Sequence, residues 1–238
     1  LASLRSAVQE FGDQATSNEL AEMFGSYLDF LKTNYTPEVA GKELEDGAAA
    51  AFEIPALKGW FLIGLIDLLS TEKDTPENVE KRNQFYYRLD NKFAPSAHSN
   101  YVIVQLARWA AEFRKDSQAA TKLYDYIINE RPGTANYNHA LVDTAVLLAK
   151  SESPEDQAEA MKRFEKILRE VPDEELKELA VLGTARLLSK DKKFAEAQPF
   201  WEQYLDNRDW TVSRPEANYD YARCFDQQGN INDALKIY

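Results

Sequence analysis

Apolar residues recur every three or four positions in two stretches of the chain that read almost alike. The stretches are "AEAMKRFEKILREVP" (158–172) and "AEAQPFWEQYL" (195–205), and Trp201 stands where the first has Phe164. This spacing places the apolar side chains on one face of an α-helix. The pattern therefore predicts two amphipathic helices that are copies of one another.

A second pair of matching helices lies just upstream of the first pair. "TAVLLAK" (144–150) and "TARLLSK" (184–190) share Thr, Ala, both Leu and Lys in the same order. The repeated unit is therefore a pair of helices, of the kind that stacks into a helical array. The earlier copy carries three extra residues at "KSESPED" (150–156), where Ser153 and Pro154 favour a new helix start and a hairpin loop tolerates an insertion.

Two further copies flank these. Residues 101–132 contain Ala120 at the small-residue position, and residues 216–238 contain Ala234 there. The last copy stops at Tyr238 inside a predicted helix, whose apolar face then has no neighbour. We expect either that the natural chain continues or that two chains meet at this end.

The first part of the chain is also predicted to be helical, although it follows the repeat loosely. Helical spacing covers 16–35, 54–70 and 76–93, and Thr-Pro-Glu signals at 36–38 and 75–77 mark helix starts. The segment "APSAHSN" (94–100) is the best candidate for a joint. We interpret residues 1–95 as divergent helical hairpins that continue the stack, and a separate helical domain is the alternative.

These residues resemble the tetratricopeptide repeat (TPR), whose second helix carries the pattern A-x₃-F followed by Pro. The matches are Ala160, Phe164 and Pro172; Ala197 and Trp201; Ala120, Tyr124 and Pro132; and Ala234 and Tyr238. The spacing of 37 to 40 residues exceeds the 34 of the family, and Pro199 should kink or shorten its helix.

The resemblance implies an all-α fold, a right-handed superhelix (α-solenoid) of antiparallel helical hairpins. The repeats would occupy about 98–134, 135–174, 175–211 and 212–238, the last one truncated, within a TPR-like part at 96–238. The residues expected to be buried between hairpins are Ala145, Leu148, Phe164, Ala185, Leu188, Trp201 and Ala222.

Charge and composition narrow the function. The 238 residues carry a net charge of −12, which repels nucleic acid and anionic lipid over most of the surface. The most apolar stretch, 59–70, is too short to span a bilayer, so no membrane insertion is expected. The lone Cys224 cannot form an intramolecular disulfide, which leaves the cellular compartment open.

Catalytic chemistry has little support in the sequence. His98 and His139 lie far apart and have no neighbouring ligand at metal-binding spacing. Cys224 is interpreted as a partly buried, inert thiol, and the aromatic clusters at 60–61 and 85–87 as core. We therefore predict no catalytic residue, no cofactor and no metal. An enzyme subunit with a site in the N-terminal half, or a self-assembling structural protein, are the alternatives.

The resemblance to the TPR family also implies where a partner would bind, because first helices line the concave face in that family. The residues that follow the small-residue position are Arg108, Val146, Arg186 and Arg223. The predicted groove residues are Tyr101, Arg108, His139, Lys150, Arg186, Lys190, Tyr219 and Arg223. Such a surface favours an acidic peptide or protein, because arginine binds carboxylates in a bidentate manner.

The asparagines of the family's carboxylate clamp are not matched, since Gln105, Asp143, Gly183 and Asp220 occupy the corresponding positions. A chaperone tail is therefore not the expected ligand. The alternative interpretation of the cations is structural: they are solvated and paired with neighbouring acids.

Overall fold

The computed structural model describes residues 17–51, 55–71, 73–134 and 136–237, and within these ranges the chain forms twelve α-helices and no strand. The all-α prediction is confirmed. The helices are α1 (Ser17–Asn34), α2 (Pro37–Ala50), α3 (Pro55–Ser70), α4 (Pro76–Asp90), α5 (Asn100–Glu112), α6 (Ser117–Glu130), α7 (Tyr137–Ala149), α8 (Pro154–Glu170), α9 (Glu174–Lys190), α10 (Phe194–Asp206), α11 (Arg214–Gln227) and α12 (Ile231–Ile237).

The chain divides into two compact units, 1–126 and 127–238. The boundary falls within α6, whereas the joint expected at 94–100 lies inside the first unit. There the segment forms a short 3₁₀ turn, Pro95–Ala97, between α4 and α5.

Local sequence signals position several helix starts as predicted. The Thr75 hydroxyl accepts a hydrogen bond from the Asn78 amide at 3.2 Å, and Ser153 accepts one from Asp156 at 3.3 Å. Each is followed by proline at the first helical position, where its missing N–H costs nothing. These caps satisfy amide groups that have no partner within the helix.

The first unit is built around α3. This helix packs against α1, α2, α4 and α5, and it is buried on almost every side, as its continuous apolar sequence predicted. Two glycines allow close contacts between α3 and its neighbours: one on α2 accommodates a ring of α3, and one on α3 accommodates a ring of α1. A Cβ on Gly47 of α2 would lie 2.3 Å from the Phe61 ring, and one on Gly64 would lie 2.9 Å from Phe24.

The second unit consists of three helix pairs. In each pair (α7 with α8, α9 with α10, α11 with α12) the two helices are joined by a short loop and pack against each other, so they run antiparallel. The first helices also contact one another in sequence, because α9 packs on α7 and α11 packs on α9. No helix in the described part of the chain is long and apolar enough to cross a membrane.

The repeated residues occupy equivalent places in these pairs. Ala160 and Phe164 of α8, like Ala197 and Trp201 of α10, are completely buried. Thr144 and Thr184, which begin the two copies of the first-helix motif, each donate a hydrogen bond to the carbonyl four residues earlier. The similarity in sequence thus corresponds to a similarity in packing.

Six of the seven residues expected in the core are buried, and one is not. Leu148 is only half-buried at the edge of the core cluster, because it lies in the last turn of α7. The expectation of full burial at this position was wrong. Pro199 lies inside α10, which has 13 residues, whereas the equivalent α8 has 17.

One residue difference between the two repeats is accompanied by a second difference that compensates for it. Trp201 replaces the Phe164 of the earlier copy and brings an indole N–H into the core, and Ser189 replaces Ala149 and accepts that hydrogen bond at 3.0 Å. Because a buried indole N–H needs a partner, the two replacements depend on each other.

Replacing Phe164 with Ala should lower the free energy of unfolding by about 3–5 kcal/mol, since the ring is completely buried and fills the space beside Gly183. Urea denaturation followed by circular dichroism measures the change. The control is Lys162→Ala on the same helix, whose side chain is 75% exposed and which should change stability by less than about 0.5 kcal/mol. A loss below about 1 kcal/mol for Phe164→Ala would contradict the assignment of this ring to the core.

Candidate partner-binding surface

Four of the eight predicted groove residues come together in the second unit. Lys150, Arg186, Lys190 and Arg223 line two pockets, and Arg186 and Lys190 line both, so the pockets adjoin. These cations lie toward the C-terminal ends of α7, α9 and α11, which pack side by side. We refer to the two depressions as the cationic pocket and the apolar pocket.

The cationic pocket has a volume of about 410 Å³. Four cations line it: Arg186, Lys190, Lys192 and Arg223. Lys192 was missed by the sequence analysis because it belongs to the loop after α9, where it adopts a left-handed conformation with φ of 61°. The signal that the sequence offered for Lys192 was its position in a Lys-rich turn directly after α9.

The apolar pocket has a volume of about 330 Å³. Its apolar lining comes from α7, α9 and the loop before α11, and comprises Val146, Ala149, Leu179, Leu182, Leu187 and Val212, with the ring of Phe164 at its inner wall. Val146, expected to face the groove, does line this pocket. The loop residue Val212 was not anticipated, because nothing local in the sequence connects it with α9.

Two of the cations are paired with acids of the same unit. The Arg186 guanidinium Nε lies 3.1 Å from an Asp220 carboxylate oxygen, and the Lys190 ammonium lies 3.1 Å from Glu152. The alternative interpretation, that the charges pair with neighbouring acids, is confirmed for these two. Both pairs are substantially exposed to solvent and so contribute little to stability.

Arg223 has a different environment. It is exposed, and its guanidinium lies 6.0 Å from the centre of the Tyr219 ring, within the range of a cation–π contact. Tyr219 is itself 54% exposed and is not among the residues that line either pocket.

Partly buried hydrogen bonds hold the walls of the pockets in place. Ser189 accepts hydrogen bonds from the Trp201 indole and from the Cys224 thiol, which is 3.1 Å away. Cys224 is buried, as expected. On the other side, the buried Glu178 carboxylate accepts a hydrogen bond from the Val212 amide at 2.7 Å, which fixes the loop before α11.

The other predicted residues do not join this cluster. His139 is half-buried on α7 and lines neither pocket, while Tyr101 and Arg108 belong to α5 in the first unit. Tyr101 stacks on Trp60 with 5.5 Å between ring centres, and its hydroxyl donates a hydrogen bond to Asp67. Among the described residues, no three His, Cys, Asp or Glu side chains are grouped so as to hold a metal ion.

Asp67 lies in a desolvated environment between α3 and α5. Burial raises the pKa of its carboxyl above the ordinary value, and this effect exceeds the opposing attraction of Lys32 and the Tyr101 hydrogen bond. Burial also raises the pKa of the neighbouring Tyr86 to about 12, with the charge of Asp67 adding to the effect. The folded first unit therefore binds the Asp67 proton more tightly than the unfolded chain does.

Replacing Asp67 with Asn should therefore stabilise the protein more at pH 7 than at pH 4. A raised carboxyl pKa means that stability is greatest at low pH and is lost as pH rises from the unfolded value of about 3.9 through the folded one. Asparagine removes this loss and still accepts the Tyr101 hydrogen bond. Urea midpoints of both proteins across this pH range measure the difference, with the exposed Asp29→Asn as the charge-matched control. A gain that does not grow with pH would contradict the prediction.

No protein-family model matches the chain, and no curated protein matches its sequence.

Proposed function

We propose that this protein is an interaction scaffold that binds an acidic segment of a protein partner on the paired pockets of its second unit. In this proposal the helix pairs form a TPR-like solenoid, a right-handed superhelix whose concave face carries the two pockets. The observation that carries the proposal is the convergence of Lys150, Arg186, Lys190 and Arg223 on two adjoining depressions in a chain of net charge −12.

The character of the two pockets specifies the ligand. The cationic pocket offers two guanidinium groups, which bind carboxylates through paired hydrogen bonds. The apolar pocket next to it accepts one large apolar side chain, whose burial contributes about 1.5–3 kcal/mol. The ligand is therefore a peptide in which Asp or Glu stands near Leu, Ile, Met or Phe.

The intramolecular ion pairs are compatible with such a ligand. Arg186 already holds Asp220, and an incoming carboxylate would exchange with it, because both partners keep access to water. Lys150 and Arg223 are exposed and form no ion pair among the described residues. The ligand would therefore bind these two cations without displacing an acid of the chain.

The overall negative charge shapes how binding responds to salt. At long range the chain repels an acidic ligand, so the affinity has to come from short-range contacts in the pockets. Added salt screens the repulsion and the local attraction alike. A comparison of variants at each salt concentration therefore separates the two effects better than the salt dependence of the wild type alone.

The test begins with a random peptide display library selected on the immobilised full chain. The enriched peptides should combine acidic and large apolar residues. For the best peptide, the double variant Lys150→Ala/Arg223→Ala should bind at least about tenfold more weakly than wild type at low salt, equivalent to about 1.4 kcal/mol, as measured by fluorescence anisotropy. The deficit should shrink as salt screens the contacts.

The matched control is Lys162→Ala/Arg169→Ala on α8, which removes the same charge from exposed positions that line neither pocket. It should leave the affinity within about twofold of wild type. Equal losses in both double variants, or enrichment of peptides without acidic residues, would reject the proposed site.

Self-assembly through α12 is a second candidate function. This helix exposes two apolar side chains, Ile231 at 59% and Leu235 at 68%, on a surface that a second copy of the chain could cover. Neighbouring exposed apolar side chains on one helix favour such pairing.

A dimer formed in this way should dissociate when Ile231 and Leu235 are both replaced by Lys, because two buried charges would face each other across the interface. Sedimentation equilibrium at high micromolar concentration distinguishes the species. Phe113→Lys, at an exposed position in the first unit, is the control and should leave the dimer intact. A wild-type chain that is monomeric at this concentration would rule out the second candidate.

A further inference from the structure

A separate pocket in the first unit is formed where α3 begins and α4 ends. Its volume is about 270 Å³, and it is bordered by the loop that leads from α4 through the 3₁₀ turn to His98. We call it the α3–α4 pocket. It lies within residues 55–98 and shares no residue with the pockets of the second unit.

The charged side chains that line this pocket, among the described residues, are all cations. Lys58, Arg88 and Lys92 line it, and none of the described residues that line it is acidic. The acid next to this group in the chain, Asp90, is held by Arg114, with 2.6 Å between the guanidinium nitrogen and the carboxylate oxygen. Three cations and no described acid therefore line this pocket, in a chain that carries twelve net negative charges.

The helix ends add to this potential. The positive N-terminal end of the sixteen-residue α3 faces the pocket at Pro55 and Lys58. The C-terminal end of α4 would oppose an anion, but two of its carbonyls already accept hydrogen bonds, that of Tyr87 from Asn91 and that of Asp90 from Phe93. The three cations and the N-terminal end of α3 thus both favour a negative charge at the pocket.

The interior of the pocket is apolar and aromatic. His98 is 5% exposed and stacks on Phe93 with 4.3 Å between the ring centres, and Leu62 and Leu89 complete the inner surface. Gly59 makes room for the imidazole, since a Cβ at this position would lie 2.7 Å from His98 Nδ1. Cations at the mouth thus surround an apolar interior.

We infer that the α3–α4 pocket binds a small amphiphilic anion, a carboxylate or phosphate group attached to a short apolar body. The head group would contact Lys58, Arg88 and Lys92, and the apolar body would lie against Phe93 and Leu62. The volume is just below the range of about 300–1,000 Å³ typical of sites for drug-sized ligands, so the ligand is small.

The two histidines of the chain make this inference directly measurable by NMR. His98 lines the pocket and His139 lies in the other unit, so the variant His139→Gln identifies the ring signal of His98. The probes are hexyl phosphate, hexanoate, inorganic phosphate and hexanol, each titrated into the full chain. The charged amphiphiles should shift the His98 signal saturably and bind at least about tenfold more tightly than phosphate or hexanol.

The double variant Arg88→Gln/Lys92→Asn should weaken binding of the amphiphilic anions at least about tenfold, and asparagine tolerates the left-handed backbone of Lys92, where φ is 59°. The control Lys73→Gln/Lys81→Gln removes the same charge from exposed positions of this unit and should have no effect on binding. In the wild type, higher salt should weaken the binding of the charged probes and leave the binding of hexanol unchanged.

Each alternative outcome overturns the inference. A His98 signal that no probe shifts would show that the pocket binds none of these ligands. Equal affinity for hexyl phosphate and inorganic phosphate would show that the apolar interior does not contribute to binding. Tight binding of hexanol would show that the cations do not contribute to binding. Preference between hexanoate and hexyl phosphate identifies the head group.

Discussion

The close approach of helices at small residues is the contact on which both units depend. In the second unit, the completely buried Phe164 ring of α8 packs so tightly on α9 that a Cβ at Gly183 would lie 2.2 Å from it. In the first unit, Phe61 fills the equivalent space beside Gly47. Each contact pairs a large ring with a missing side chain, which brings the helix backbones together without leaving a void.

The cationic surface follows from this packing. Because α7, α9 and α11 lie side by side, their C-terminal ends meet, and residues near these ends share one face. Lysine and arginine are favoured there by the helix dipole, so the positions of Lys150 and Lys190 have a local structural cause in addition to the proposed role in binding. The apolar pocket, which Lys150 and Lys190 both line, also depends on a polar contact. The Glu178 carboxylate accepts a hydrogen bond from the Val212 amide and so holds Val212 in the pocket wall.

Local sequence determined the helices and most of the core. The 3.6-residue periodicity, the Thr-Pro and Ser-Pro starts and the repeated Ala-x₃-aromatic spacing act over a few residues, so the helix bounds and the burial of Phe164 and Trp201 were predictable. Leu148 was the exception in the core. Periodicity indicates which face of a helix is apolar, but it does not show how far along that face the core extends, and Leu148 lies in the last turn of α7.

Tertiary structure alone decided which charged groups meet. Arg186 pairs with Asp220, 34 positions away, and Lys190 pairs with Glu152, 38 positions away, and no local pattern distinguishes these acids from the others. The same holds for the α3–α4 pocket, where Lys58 and Lys92 come from separate elements. The sequence by itself determined that the chain folds into paired helices with an apolar face, because that information is local. The positions of the pockets depend on the distances between helices, which only the packed side chains determine.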